Sequence, residues 1–310
     1  MIFSAHPRAS RCSYEAARVM AETAVRHGAP EGFITWVEEP TLADTHYLMR
    51  HPVVRMIDAT GGPLMVEAAY SSGNPAIGVG PGNVPVYVDR SADLEKTARY
   101  IVASKAFDYS TICATEQAVI ADLPIAAKLA ELMRLEGAYF TAPHETDALR
   151  RTVFHQDGAI NTAVVGKSAP FVAQAAGFHV PAGTRILVCP LTKIGREEPL
   201  SHEKMTTVLS WYQADGWEQG CELSIATIQA GGLGHTQIIH ARDEKVIMAF
   251  GLEKPVFRIL VNTMGTLGAI GLTSGVMPSL TLGPGGVGGA ITGDNVSAYH
   301  LLNIKRLAYE

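Results

Sequence analysis

The sequence predicts an α/β protein built from two units, and three observations carry that prediction. Its 310 residues exceed the size at which one hydrophobic core ordinarily stops growing. Short apolar runs alternate with amphipathic stretches along the chain, the rhythm of βαβ units feeding a parallel sheet. Apolar residues make up 47% and charged residues 18%, the balance of a globular chain with a large interior, and one that favours an oligomer.

The elements follow in order. Ile2-Phe3-Ser4 reads as a buried strand at the very start of the chain, which suggests that sequence before it is missing. Ala16, Val19, Met20, Thr23 and Ala24 recur at helical spacing, and Gly28 stops that helix. Gly32 to Val37 and Val53 to Ala59 read as strands, Leu64 to Tyr70 as a short helix, and Ala76 to Val79 as a third strand. Ser91, followed by the acids Asp93 and Glu95, caps a helix that runs to about Ala106. Beyond it, helices near 124–135, 144–155 and 215–229 alternate with strands near 117–121, 186–189, 236–241 and 256–261, a second α/β unit. The glycines between Gly265 and Gly293 predict backbone packed closely against other chain or a ligand.

Several classes are excluded. A net charge of -5 with a pI near 6.1 supplies no broad positive field, so neither nucleic acid nor an anionic membrane is expected, and small ligands are. No apolar run approaches the length that spans a bilayer, and Met1 to Ser4 lacks the basic and apolar regions of a secretory signal. Cys12, Cys113, Cys189 and Cys221 lie far apart without a C-x-x-C pair, which argues against zinc and a disulfide framework and for the cytoplasm; no metal is expected. Gly166-Lys167-Ser168 fails as a phosphate loop because Asn161 stands where the first glycine belongs. Gly283 to Gly288 fits G-x-G-x-x-G, yet Gly289 and Gly293 follow, so no helix starts there to face a pyrophosphate.

Cys113 has a different setting. Phe107 to Gln117 puts its thiol in a polar loop between a helix and an apolar strand, where it can be reached from solvent and touched by backbone N–H donors. The usual cysteine is a small buried hydrophobe, and Cys12, Cys189 and Cys221 fit that description.

The string Thr111-Ile112-Cys113-Ala114-Thr115-Glu116-Gln117 resembles the nucleophile segment of the CoA-acylating branch of the aldehyde dehydrogenase superfamily. Other segments match in order: Ile2 to Ala9, Ala59-Thr60-Gly61-Gly62-Pro63, Gly78 to Pro85, Glu203-Lys204-Met205, Gly232-Leu233-Gly234-His235-Thr236, and Pro278 to Lys305. The likeness covers essentially the whole chain. It implies part of a Rossmann-like nucleotide-binding domain at 1–82, a catalytic domain with the cysteine at 83–280, and a segment at 281–310 returning to the cofactor domain and an oligomer interface. It also implies a longer N-terminal portion in the family, with further strands and an asparagine that assists the oxyanion.

By that resemblance Cys113 is the nucleophile, and Thr111, Ile112 and His235 support the oxyanion or acyl transfer. Ser4, His6, Pro7, Thr60, Gly61, Gly62, Gly78, Val79, Gly80, Glu203 and Met205 meet the cofactor, NAD or NADP, with Glu203 at the nicotinamide ribose. CoA is the co-substrate, and a homodimer or homotetramer is expected, in the cytoplasm, with recruitment to a bacterial microcompartment left open. Hydrolytic relatives use a glutamate base at a position that falls at or beside Val79, and neither Val79 nor its glycine neighbours can take a proton. That favours a thiol over water as acyl acceptor. His235, with an ordinary pKa of about 6.5, suits deprotonation of the incoming thiol or simply orders its glycine turn. Thr206-Thr207 departs from the family's small residue and proline after Met205. The rival readings are a non-catalytic structural or assembly subunit and a hydrolytic aldehyde dehydrogenase.

Overall fold

The computed structural model describes residues 1–310. Contacts divide it into a smaller unit, Met1–Ala59 with Leu64–Ala76, and a larger one, Thr60–Pro63 with Ile77–Glu310.

In the smaller unit β1 (Ile2–Phe3) pairs in parallel with β2 (Thr35–Trp36), and between them runs α1 (Ser10–Arg26). Gly28, at φ +93, follows the end of α1 as the sequence predicts. Cys12 is exposed on α1, which buries only Ala17, so the expectation of a buried thiol there is corrected. The strand predicted from Gly32 shrinks to two residues. A helix that the sequence reading left out, α2 (Leu42–Arg50), starts at a capping box in which Thr41 and Asp44 satisfy each other's backbone N–H groups. The strand predicted from Val53 begins only at Ile57 as β3 (Ile57–Thr60), because a turn closed by Val54 N–H on the His51 carbonyl holds the chain first. Then come α3 (Pro63–Tyr70) and β4 (Ala76–Val79). Met49, Ile57, Ala59, Ala69 and Ala76 form the unit's own small core.

The larger unit is organised by a seven-stranded, wholly parallel sheet. Its elements are β5 (Val84–Val88), α4 (Leu94–Ala106), β6 (Glu116–Asp122), α5 (Leu123–Leu135), β7 (Ala138–Phe140), α6 (Pro143–Val153) and α7 (Ala169–Ala175). They continue with β8 (Ile186–Pro190), β9 (Val208–Ala214), α8 (Trp217–Gln229), β10 (Gln237–His240), α9 (Glu244–Glu253), β11 (Ile259–Val261) and α10 (Gly265–Ala269). The strand order is β11-β10-β5-β6-β9-β8-β7. Side chains alternate between faces: Val84, Val86, Val119 and Val188 pack with α4, α5 and α10, whereas Tyr87, Ile120 and Leu187 pack with α6, α7, α8 and α9. Two covered faces explain why β5 and β6 are buried at every position. The N-cap of α4 is Asp93, not Ser91; the Ser91 hydroxyl instead accepts from the N–H groups of Arg242 and Asp243.

The glycine-rich end packs as predicted in several places. A Cβ on Gly283 would lie 2.3 Å from the Thr292 carbonyl oxygen, and one on Gly285 would meet the Phe257 ring at 2.3 Å. Gly286–Gly288 forms only a single 3-10 turn. No helix is long and apolar enough to cross a membrane.

Candidate active site

Five segments of the larger unit that run into the amino ends of parallel strands meet at one place. They bring Gly82 ahead of β5, Cys113 ahead of β6, Glu203 ahead of β9, His235 ahead of β10 and Arg258 ahead of β11. Open parallel sheets more often hold ligands beyond the carboxyl ends of their strands. This site uses the opposite edge.

The loop that delivers Cys113 is strained and clamped. Asp108, Tyr109 and Ser110 all have positive φ, between 47° and 68°, a region that costs a non-glycine residue about 1 kcal/mol or more. Lys105, fully buried on the inner face of α4, holds the turn: its Nζ donates to Ser110 Oγ at 2.9 Å and to Gln117 Oε1 at 3.4 Å. Burial pushes the Lys105 pKa well down, and the neighbouring Lys204 cation adds to that. Thr111 Oγ1 donates to the Asp108 carbonyl at 3.0 Å, and the Ile112 carbonyl accepts from the Thr115 N–H at 2.9 Å. Thr111 and Ile112 therefore shape the loop, while the N–H groups directed at Cys113 Sγ are those of Cys113 itself and Ala114.

Cys113 is half-buried, and its Sγ lies 3.2 Å from His235 Nε2. Burial pushes the thiol up to about 12, the Glu203 charge adds to the rise, and Arg258 with the two N–H groups opposes it. His235 is fully buried and held near 3 by desolvation and the Arg258 cation, so the imidazole is neutral. Its Nδ1 lies 2.9 Å from Thr236 Oγ1. Gly82 forms the wall: a Cβ there would stand 2.3 Å from the Cys113 carbonyl oxygen and 3.1 Å from the His235 ring.

Glu203 is pushed up to about 7 by burial, and its carboxylate accepts from the Gly82 N–H. One backbone donor leaves most of a carboxylate's acceptor capacity unused, which fits a ligand hydroxyl. Met205 has φ 47°, and its carbonyl accepts from the Gly166 N–H at 3.0 Å. Glu116 Oε1 accepts from the Gly265 N–H at 2.8 Å, and burial raises this carboxyl to about 7 as well.

Of the other residues singled out, Thr60 ends β3 and Gly61 and Gly62 follow it in a bend, where the Gly61 N–H donates to the Val79 carbonyl at 3.0 Å. Gly78 and Val79 are buried in β4, and Gly62 and Gly80 have open space within 4 Å of any added Cβ, the cradle that a close-lying ligand needs. Ser4, His6 and Pro7 belong to the smaller unit. There Ser4 Oγ pairs with Thr45 Oγ1 at 2.9 Å, and His6 caps the 3-10 turn that Pro7 begins. Sequence reasoning missed Lys105, Arg258 and Gly82 as parts of the site. Only Lys105 carried a signal, since it continues the Ala98, Ile101, Val102 stripe of α4 and so had to point inward.

The profile of the aldehyde dehydrogenase family matches residues 3–141. The aldehyde-alcohol dehydrogenase of Clostridium acetobutylicum is 42% identical over 313 residues, covering 99% of this chain, and the chain spans 36% of that relative's length. A solved acetylating aldehyde dehydrogenase from Geobacillus thermoglucosidasius superposes with a TM-score of 0.97 at 47% identity, over 100% of this chain and 68% of its own. A propionaldehyde dehydrogenase from Rhodopseudomonas palustris, solved with bound CoA and an acylated cysteine, is 30% identical with a TM-score of 0.88, over 96% of this chain and 66% of its own. The chain thus belongs to the aldehyde dehydrogenase family, among its acylating members.

Proposed function

We propose that the larger unit oxidises a short-chain aldehyde to its acyl-CoA through a thioester on Cys113. The observation that carries this reading is the pairing of Cys113 Sγ with His235 Nε2 at 3.2 Å, beside which the Cys113 and Ala114 N–H groups favour the thiolate. The acylated cysteine of the Rhodopseudomonas palustris relative supports it.

In this mechanism the Cys113 sulfur adds to the aldehyde carbonyl, forming the S–C bond as the carbonyl π bond opens and the thiol proton passes through solvent to the carbonyl oxygen. The Cys113 and Ala114 N–H groups, which already partner the sulfur, hold the charge that develops as the carbonyl becomes tetrahedral. Bound NAD or NADP would supply the acceptor for the hydride that leaves the tetrahedral carbon, as the oxygen gives its proton to solvent, the C=O bond re-forms and the Cys113 thioester remains. Glu203, with acceptor capacity beyond the Gly82 N–H, would orient its nicotinamide ribose, and the open backbone at Gly62 and Gly80 would let it lie close. Val79, fully buried and apolar, offers no base to activate water at that position, so the thioester waits for the CoA thiol. CoA sulfur gives up its proton to solvent and attacks the acyl carbon, the Cys113 S–C bond breaks, the Cys113 sulfur takes a proton back, and acyl-CoA leaves.

The test is to mix the protein, NAD or NADP, and acetaldehyde or propionaldehyde, with and without CoA, and to follow the reduced nicotinamide. Turnover is expected to need CoA and to vanish in Cys113→Ala. Steady turnover without CoA, or turnover surviving Cys113→Ala, would overturn the reading.

A further inference from the structure

The hydrogen-bond inventory around His235 assigns the protons on its ring. Thr236 is 1% exposed, so its hydroxyl has no water to turn to. Two groups lie within reach of its Oγ1: His235 Nδ1 at 2.9 Å and Arg258 Nη1 at 3.5 Å. A guanidinium only donates. The Thr236 hydroxyl hydrogen therefore has one acceptor, the lone pair of His235 Nδ1. Arg258 cannot swing away to change this, because Nε is tied to Asn295 Oδ1 at 2.7 Å and Nη1 also holds the His235 carbonyl at 3.1 Å. Asn295 is fixed in turn by its amide on the Ala269 and Met277 carbonyls, both at 2.7 Å.

We infer that Thr236 and Arg258 are positioning residues that lock His235 as the neutral tautomer with its hydrogen on Nε2, so that it donates to Cys113 Sγ. His235 is then a holder of the thiolate and not a base. With the Nδ1 lone pair taken up by Thr236 and Nε2 already protonated, it has no site left to accept a proton from Cys113 or from an incoming thiol. Acceptance would require an imidazolium, which burial of the ring and the adjacent Arg258 cation oppose. The charged and titratable groups bearing on the pair are Arg258, Cys113 and, through its effect on the thiol, Glu203. A donor to the charged form lowers the thiol's pKa and offsets part of what burial raises. This inference rests on Cys113 as the nucleophile for its meaning in turnover, but the tautomer can be read without any turnover.

The experiment uses protein labelled with 15N-histidine, with the His235 signals identified by their loss in His235→Asn. In the unmodified chain Nε2 is expected to give a protonated, pyrrole-type shift and Nδ1 an unprotonated, pyridine-type shift across neutral pH. Thr236→Ser should keep that pattern, and Thr236→Val should lose it. In parallel, iodoacetamide alkylation of Cys113 is followed against pH. Thr236→Val should move its midpoint upward, about tenfold in rate at pH 8, whereas Thr236→Ser should match the parent. A pyridine-type Nε2 in the parent protein would overturn the inference by itself, even if Thr236→Val failed to fold. So would an alkylation profile that Thr236→Val leaves unmoved. Loss of turnover with the tautomer as expected would count against the proposed reaction and leave this assignment standing.

Discussion

A single methyl group at Gly82 tests the active-site geometry most directly. Gly82 does not use left-handed backbone, so alanine is conformationally allowed there and any effect is steric. The added Cβ would stand 2.3 Å from the Cys113 carbonyl oxygen, and ordinary contact begins at 3.4 Å, so the cysteine segment must retreat by about 1 Å. It cannot do so freely, because Lys105 clamps it from behind through Ser110. Overpacking of this kind costs about 1–3 kcal/mol, which a folded domain survives, but a displacement of about 1 Å at a reacting atom can cost about 100-fold in rate. Gly82→Ala is therefore expected to fold with a slightly lowered Tm and to lose about two orders of magnitude in kcat/KM, with a parallel loss in alkylation of Cys113. Gly80→Ala is the control, since nothing lies within 4 Å of its Cβ. It should alkylate like the parent protein and, if it affects turnover, do so through KM for the nicotinamide. Parental turnover in Gly82→Ala would refute the claim that this wall sets the position of the sulfur.

Two further predictions concern the groups around the sulfur. Ser110→Gly relieves a left-handed residue worth about 1 kcal/mol but leaves Lys105 short of one acceptor, whereas Ser110→Ala keeps the strain and loses the same bond. Urea unfolding should rank the parent above Gly and Gly above Ala, and equal midpoints for Gly and Ala would remove the strain argument. Glu203 has a folded pKa raised to about 7 from 4.5, so the stability it contributes is present below 4.5 and is lost as pH rises through 7. Glu203→Gln should accordingly gain stability relative to the parent between pH 5 and pH 8, and should lower the Cys113 alkylation midpoint by removing the charge that raises it; a pH-independent difference would contradict both.

The sequence exposed the cysteine loop and the sheet rhythm but not the walls of the candidate site, for identifiable reasons. Cys113 was legible because polar residues flank it where an apolar strand should be starting, and β6 then runs as seven buried residues. The strand β9, Val208–Ala214, was missed because Ser210 and Gln213 break its apolar run; Ser210 is fully buried all the same, its hydroxyl on the Leu200 carbonyl at 2.6 Å. Arg258 and Gly82 could not be found by pattern. An arginine ahead of a strand ordinarily reads as solvated, and only the folded chain reveals that its donors go to His235, Thr236 and Asn295. Gly82 is one glycine in a run of three within five residues, and its contact with Cys113 spans segments that the sequence separates by about thirty positions.

The placement of the site also explains why those extra groups are needed. In a parallel α/β unit each helix runs back against the strands, so helix carboxyl ends gather at the strands' amino edge. Here α4 ends at Ala106 before the Cys113 loop, α8 ends at Gln229 before His235, and α9 ends at Glu253 before Arg258. Each such end carries roughly half a negative charge from its unpaired carbonyls. That edge is hostile to an anion, and the thiol's rise to about 12 under burial and the Glu203 charge points the same way. A thiolate can form there only if donors and cations outweigh the background. The fold supplies them from three separate segments: the N–H groups of Cys113 and Ala114, Nε2 of His235, and the Arg258 cation whose field reaches the sulfur. A site at the carboxyl edge would have had helix amino termini for that purpose. The buried polar network around His235 is the replacement, which is why removing one hydroxyl from Thr236 should register at the sulfur two contacts away.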